Sequence, residues 1–486
     1  MGATTTAVRP DQPQRIALVL AYLLMALWAA YLLLAPTTGF DWIESWHNEQ
    51  RAAQVVLLSL TALVVAMLTI AGPDTLRARL QLPSWWWALI ALGSASALLS
   101  AFRFAALAEV GLVVLLSLLV VLTAALATVQ PHQAAKFARY VALLIVGAHV
   151  LAVMVRYAAS LEMGKGVDLS VFMLGYANPR FASALHALLM PFVAAVAINR
   201  NEHTVLRCAA FVALCLVWTM NVGLGTRGIW FATIAGAVLA LPILGIRATT
   251  RMAAAIAIAA VLGVALFTLI TAYPAGSGAA SSVALPTQRS PTLTSRDVLW
   301  SLAWDATMSN PVLGLGPMQF AALQSYVGAH PHNWPLQLSS EWGLPALVLV
   351  LMAMVTMTAR KRRGIRHGAT MNPEALLAVC IALVYGLVDG NLVMPVSQTA
   401  SALVLGLAVG TFESAPPGRV CRRNAVATVL MVLASAAAVI AYATVSIDDQ
   451  ERSTAAFRSQ FPGEWLVPRF WEQGLLWPET PPAAPR

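Results

Sequence analysis

The sequence predicts an all-α polytopic integral membrane protein with about 12–13 transmembrane helices and one large outer loop containing short helices. Three observations predict it. Of 486 residues, 59% are hydrophobic and 10% charged, with a mean hydropathy of +0.74, too few charges for a water-facing surface of that size. Apolar runs of crossing length recur along the chain. Basic residues alternate between successive loops in the way an inside bias requires.

The first run, IALVLAYLLMALWAAYLLLAP at 16–36, follows MGATTTAVRPDQPQR with Arg9 and Arg15. It is long for a signal peptide and lacks a small-residue cleavage site, so it reads as a retained span. Further spans follow near 52–71, 84–100, 105–128, 137–157, 182–199, 208–221, 228–246, 253–272, 341–359, 371–388, 396–411 and 426–444. A crossing takes about 20 residues at ~1.5 Å rise, so the shorter runs tilt or borrow flanking residues.

A cytoplasmic N-terminus puts Arg77, Arg79, Lys136, Arg200, Arg207, Arg247 and Arg251 inside, with RKRRGIR at 360–366 and Arg419, Arg422 and Arg423. Segments 36–51, 158–181, 222–227, 273–340, 389–395 and the tail from 445 then lie outside. The net charge of +9 reads as orientation and attraction to anionic lipid, with no nucleic-acid partner needed. Cys208, Cys215, Cys380 and Cys421 fall in or near inner halves of spans or inner loops without zinc-ligand spacing. They are expected to be reduced, structural thiols.

This divides the chain into an amino-terminal bundle with the Arg227 outer segment (1–272), a candidate catalytic loop (273–340), carboxy-terminal spans (341–444) and an outer aromatic and Pro-rich tail (445–486). The loop begins YPAGSGAASSVALPTQRSPT, expected to be irregular. LTSRDVLWSLAWDATMSN then predicts a short helix from near Ser295 with Asp297 at its positive end. NPVLGLGPMQF bends the chain, and MQFAALQSYV predicts a second short helix. Both are too short to cross and fit amphipathic pieces over the bundle mouth.

Trp42 and Trp46 of DWIESWHNEQR, and Lys165, Asp168 and Arg180 of 158–181, read as interface residues. FPGEWLVPRFWEQGLLWPETPPAAPR fits an aromatic segment resting on the membrane or on the outer loops, with PPAAPR disordered.

Topology does not explain Arg227 in NVGLGTRGIW or Arg296 in the long loop. Two guanidinium forks can hold a phosphate or pyrophosphate and neutralise charge on a lipid-pyrophosphate leaving group; ordinary snorkelling is the alternative. His330 and His332 alternate with Pro331 ahead of Asn333, and only Glu341 is near as a further ligand, which disfavours zinc. One imidazole can take a proton from a sugar hydroxyl with Asn333 in support. Equally, all three can close the hydrogen bonds of a reentrant turn. Few ionisable residues within the spans argue against a transporter or flippase.

The outer motifs together resemble the O-antigen ligase and polymerase superfamily of bacterial membrane glycosyltransferases. The likeness rests on GLGTRG at 223–228, SRDVLW at 295–300 with NPVLGLGPMQF at 310–320, HPHNWPLQLSSEWGLPAL at 330–347 and GLVDGNLVMP at 386–395. It covers residues 223–395 in order; the amino-terminal spans agree in kind only. Trp334 and Pro335, the thirteenth span and the aromatic tail depart from the family pattern.

The resemblance implies His332 as catalytic base, Arg227 and Arg296 on the pyrophosphate, and His330, Asn333, Asp389 and Asn391 in substrate binding. It implies metal-independent, inverting transfer of a whole glycan from undecaprenyl pyrophosphate, without a cofactor. O-antigen ligation to a lipid A-core acceptor is the closest reading; a polysaccharide polymerase or protein O-oligosaccharyltransferase would share the donor. The implied setting is the bacterial inner membrane, with active site and C-terminus periplasmic.

Overall fold

The computed structural model describes residues 12–38, 45–164, 172, 175–272, 295–366, 372–410 and 422–477. The expectations for Arg9, Trp42, Lys165, Asp168, the irregular stretch 273–292, Arg419, Cys421 and PPAAPR fall outside the described residues. Cys208, Cys215 and Cys380 are free thiols.

The amino-terminal part consists of α1 (Gln12–Leu34), α2 (Trp46–Ala71), α3 (Ser84–Leu99), α4 (Arg103–Val129), α5 (Pro131–Glu162), α6 (Pro179–Ile198), α7 (Thr204–Gly223), α8 (Arg227–Leu244) and α9 (Ile246–Ala272). Short helices α10 (Arg296–Ser309) and α11 (Trp334–Trp342) follow. The remainder is α12 (Leu344–Arg366), α13 (Pro373–Tyr385), α14 (Pro395–Gly410), α15 (Arg422–Ile447) and α16 (Gln450–Gln460). The architecture is all-α and polytopic: each predicted span overlaps one apolar helix for most of its length. Among the described residues, ten helices are long and apolar enough to cross a membrane, while α3, α13 and α14 are shorter apolar helices.

Backbone contact at small residues holds the bundle together where lipid removes the hydrophobic drive between helices. Gly406 and Gly410, one turn apart on α14, lie against α4. A Cβ on Gly406 would sit 2.6 Å from the Val120 carbonyl oxygen, and one on Gly410 2.2 Å from that of Ala124. Enclosed helix α6 packs against α5, α7, α9, α13 and α14. At the end opposite the long loop, Arg139 is ion-paired with buried Glu374.

Three boundaries differ from expectation. Helix α12 starts at Leu344, and Glu341 belongs to α11, because Gly343 at φ +87° breaks the run between them. MQFAALQSYV forms only a 3₁₀ turn, Gln319–Leu323, flanked by left-handed Met318 and Gln324. Residues 46–51 are not loop: they form the first turns of α2, with His47, Gln50 and Arg51 buried, and the Trp46 ring fills the space above Gly175.

Helix α13 has 13 residues, roughly 20 Å at 1.5 Å each against a hydrocarbon thickness of ~30 Å. The 386–394 turn joins it to α14. The 325–333 turn, α11 and the tail pack over it.

Candidate active site

A cavity of about 470 Å³ opens at this face, lined by residues from 178–181, 224–225, Ser295, 326–332, 389–394 and 464–468. Three helices begin around it, each with an arginine in its first turn: Arg180 in α6, Arg227 in α8 and Arg296 in α10. A helix start carries a partial positive charge and disfavours cations, so this arrangement opposes helix stability and concentrates positive potential.

Local bonding sets each start. Asn178 Oδ1 accepts from the Arg180 amide at 3.0 Å. Ahead of α8, Gly225 takes φ +63°. Thr226 hydrogen-bonds Ser183 Oγ at 2.7 Å, and its amide donates to the Asn221 carbonyl at 3.4 Å. Ser295, before Arg296, is left-handed at φ +58° and makes no side-chain cap.

The histidine turn is held from several sides. Trp300 Nε1 donates to the Pro331 carbonyl at 3.1 Å. Asn333 caps α11, its Oδ1 accepting from the Leu336 amide at 3.0 Å while Nδ2 donates to the Leu387 carbonyl at 3.1 Å. The Trp334 amide donates to the Gly386 carbonyl at 2.9 Å. His332 sits at φ +53°, a strained backbone for a residue with a Cβ and of a kind concentrated at functional sites. The His330 ring meets it edge-on, centroids 4.1 Å apart.

Asp389 links these parts. Its Oδ1 lies 3.8 Å from His332 Nδ1, and its Oδ2 4.0 Å from Arg296 Nη2; both separations are longer than hydrogen bonds, and the second is an ion pair. Gly390 donates its amide to Asp389 Oδ1 at 2.7 Å. A Cβ on Gly390 would stand 2.5 Å from His330 Cε1, so this ring requires glycine beneath it. Asn391 braces the same turn, its Nδ2 donating to the Ala382 carbonyl at 3.0 Å.

Burial lowers the His332 pKa to about 3, helped by Arg296 and Arg180; burial, His332 and Arg469 lower that of His330 well below its usual value. Both imidazoles are neutral at pH 7. The pKa of Asp389 is raised by burial, against the pull of Arg180 and Arg296. That of Arg296 is lowered by burial, opposed by Asp389 and reinforced by Arg180 and Arg227. The cavity therefore offers a cluster of guanidinium charge beside an unprotonated imidazole.

The tail packs on the 321–329 segment and forms one wall of the cavity. Arg469, 1% exposed, pairs with Glu341 at 2.7 Å and Glu109 at 3.3 Å. Arg51 of α2 donates to the carbonyls of Val393 at 2.6 Å, Arg469 at 3.2 Å and Phe470 at 3.0 Å. Burial raises the Glu341 pKa against the opposing charge of Arg469.

Of the residues singled out in the sequence, His332, His330 and Asp389 line the cavity, with Arg296 against Asp389 and Arg227 exposed at the start of α8. Asn333 and Asn391 brace the surrounding turns. Sequence reasoning passed over Arg180 as an interface residue and left Arg469 and Trp465 in an undifferentiated tail. The one available signal for Arg180 was its place just after Asn-Pro, a helix-start pattern. Among the described residues, no group of three or more His, Cys, Asp or Glu is assembled to hold a metal ion.

Residues 209–351 match the family model described as O-Antigen ligase. No curated protein matches the chain. The matched segment runs from α7 into α12 and contains Arg227, Arg296, His330, His332 and Asn333, whereas Arg180, Asp389 and the tail lie beyond it. A segment similar to the O-antigen-ligase family model thus lies within an all-α membrane architecture, which fits a glycan-transfer function.

Proposed function

We propose that this chain, carrying an O-antigen-ligase domain over part of its length, is a glycosyltransferase of the bacterial inner membrane. It moves an O-antigen or related glycan from undecaprenyl pyrophosphate to a hydroxyl of a lipid A-core acceptor, without metal or cofactor. The observation that carries this reading is a cavity lined by Arg180, His332 and Asp389, with Arg296 against Asp389 and within the charge field of Arg180 and Arg227, so that three helix-start arginines surround a neutral imidazole and a buried carboxylate. Three cations where helix dipoles disfavour them make sense once an anion of two or more charges binds among them.

In the proposed reaction the acceptor oxygen attacks the anomeric carbon from the face opposite the pyrophosphate. The new C–O bond forms as the anomeric C–O bond to pyrophosphate breaks, with inversion. The hydroxyl proton passes to His332 Nε2, since Nδ1 is turned to Asp389. Arg180, Arg227 and Arg296 neutralise the departing pyrophosphate. Donor pyrophosphate opposes the charges of Arg296 and Arg180, which after burial lower the His332 pKa, and so raises its basicity. His330, Asn333, Asp389 and Asn391 hold the base and the substrate-binding turn. The periplasmic side is proposed for the cavity and tail, with the N-terminus cytoplasmic.

The test is transfer of labelled glycan by purified protein in chelator, offering lipid A-core and a lipid-linked repeat as separate acceptors. Label on lipid A-core supports ligation; extension of the repeat selects a polymerase. His332→Ala should lower the rate by about 10²–10⁴-fold, and unchanged transfer by a folded variant would remove His332 from the chemistry.

A further inference from the structure

The wall built by the tail takes no part in the proton and anion chemistry, yet it presents uncovered aromatic surface. Trp465 is 64% and Tyr326 52% exposed, and both line the cavity together with Glu464. Their neighbours Phe470 and Trp471 are buried, so the segment does not expose its aromatics for want of a core.

The backbone that carries Trp465 is tied down. Gly474 donates its amide to the Val467 carbonyl at 3.1 Å and Leu476 its amide to that of Ala321 at 3.2 Å, with the Arg469 ion pairs beneath. Tyr326 lies against Phe461, ring centroids 5.6 Å apart.

An indole held on such a backbone presents a flat apolar face to the C–H side of a pyranose, and a carboxylate beside it accepts from neighbouring hydroxyls. A membrane-interface role alone does not require these groups to share a cavity with His330 and His332. We propose that Trp465, Glu464 and Tyr326 form a saccharide subsite at the cavity mouth that grips a neutral sugar ring near the reacting bond. The inference rests on the glycan-transfer reading of the cavity and adds to it which wall holds sugar. Acceptor and donor glycans share this chemistry, and the probes separate them.

The full-length protein in nanodiscs is dialysed to equilibrium against three labelled probes: dephosphorylated, deacylated core oligosaccharide, a free O-antigen repeat oligosaccharide, and geranyl pyrophosphate. Wild type should bind at least one oligosaccharide, and Trp465→Ala should weaken that binding about tenfold. Trp465→Phe should restore most of it, and Glu464→Gln should weaken it several-fold. Geranyl pyrophosphate binding should be unmoved by these changes and lost in Arg180→Ala/Arg296→Ala. Which oligosaccharide responds assigns the subsite to acceptor or donor. Unchanged oligosaccharide affinity in Trp465→Ala and Glu464→Gln overturns the subsite, as does binding of geranyl pyrophosphate with neither oligosaccharide. Oligosaccharide binding that depends on Trp465 without pyrophosphate binding keeps the subsite and overturns the pyrophosphate reading.

Discussion

Gly390 shows how tightly single residues constrain the site. Its missing Cβ is the space into which His330 packs. Gly390→Ala should displace the ring, costing about 1–3 kcal/mol through overpacking, and lower transfer more than thermal stability, as parallel rate and melting measurements would show. The two histidines also predict a pH dependence. Their folded pKa values lie below the unfolded value of about 6.5, so between roughly pH 3 and 6.5 the unfolded chain binds more protons. Stability therefore rises with pH in that window and is lost on acidification. Asp389 and Glu341, with raised folded values, act in the opposite sense above their unfolded values near 4. A His330→Asn/His332→Asn variant should show a flatter fall in melting temperature from pH 7.5 to 5 than wild type; an equal slope would contradict the assignment.

At the scale of elements, helix α11 and the tail are fastened by one buried guanidinium. Removing it with Arg469→Met leaves Glu341 buried without its partner and should destabilise the protein by about 3–5 kcal/mol. Adding Glu341→Gln should recover part of that loss, because the isolated charge is then gone; a double variant no more stable than the single one would count against the pair. The sequence made the helices legible because each long apolar run had one dominant physical meaning in lipid. It made α11 and the 3₁₀ turn at 319–323 less legible, since Gly343 and the left-handed Met318 and Gln324 act through backbone angles that composition does not report. His332 and Arg296 stood out because they broke the charge and polarity pattern around them. Arg180 and Arg469 did not: the first looked like any loop cation, and the second acquires its role only through Glu341 and Glu109, more than a hundred positions away.

For the molecule as a whole, the proposed orientation places exposed Ser309 and Ser459 on one side and exposed Arg362 on the other. In cells with a permeabilised outer membrane, cysteines introduced at 309 and 459 on a background lacking the native thiols should react with an impermeant maleimide. One at 362 should react only after lysis. The reverse pattern would invert the topology and move the cavity to the cytoplasmic side.

The clamp of Arg51 on Phe470 joins the second helix to a segment that follows α15. The 464–468 wall of the cavity follows α15 in the chain, so the cavity lacks that wall until α15 and the segment after it have been made. One wall of the cavity is thus added last among the segments that line it, by a stretch of chain that also ties α2 to α11 through Arg51 and Arg469.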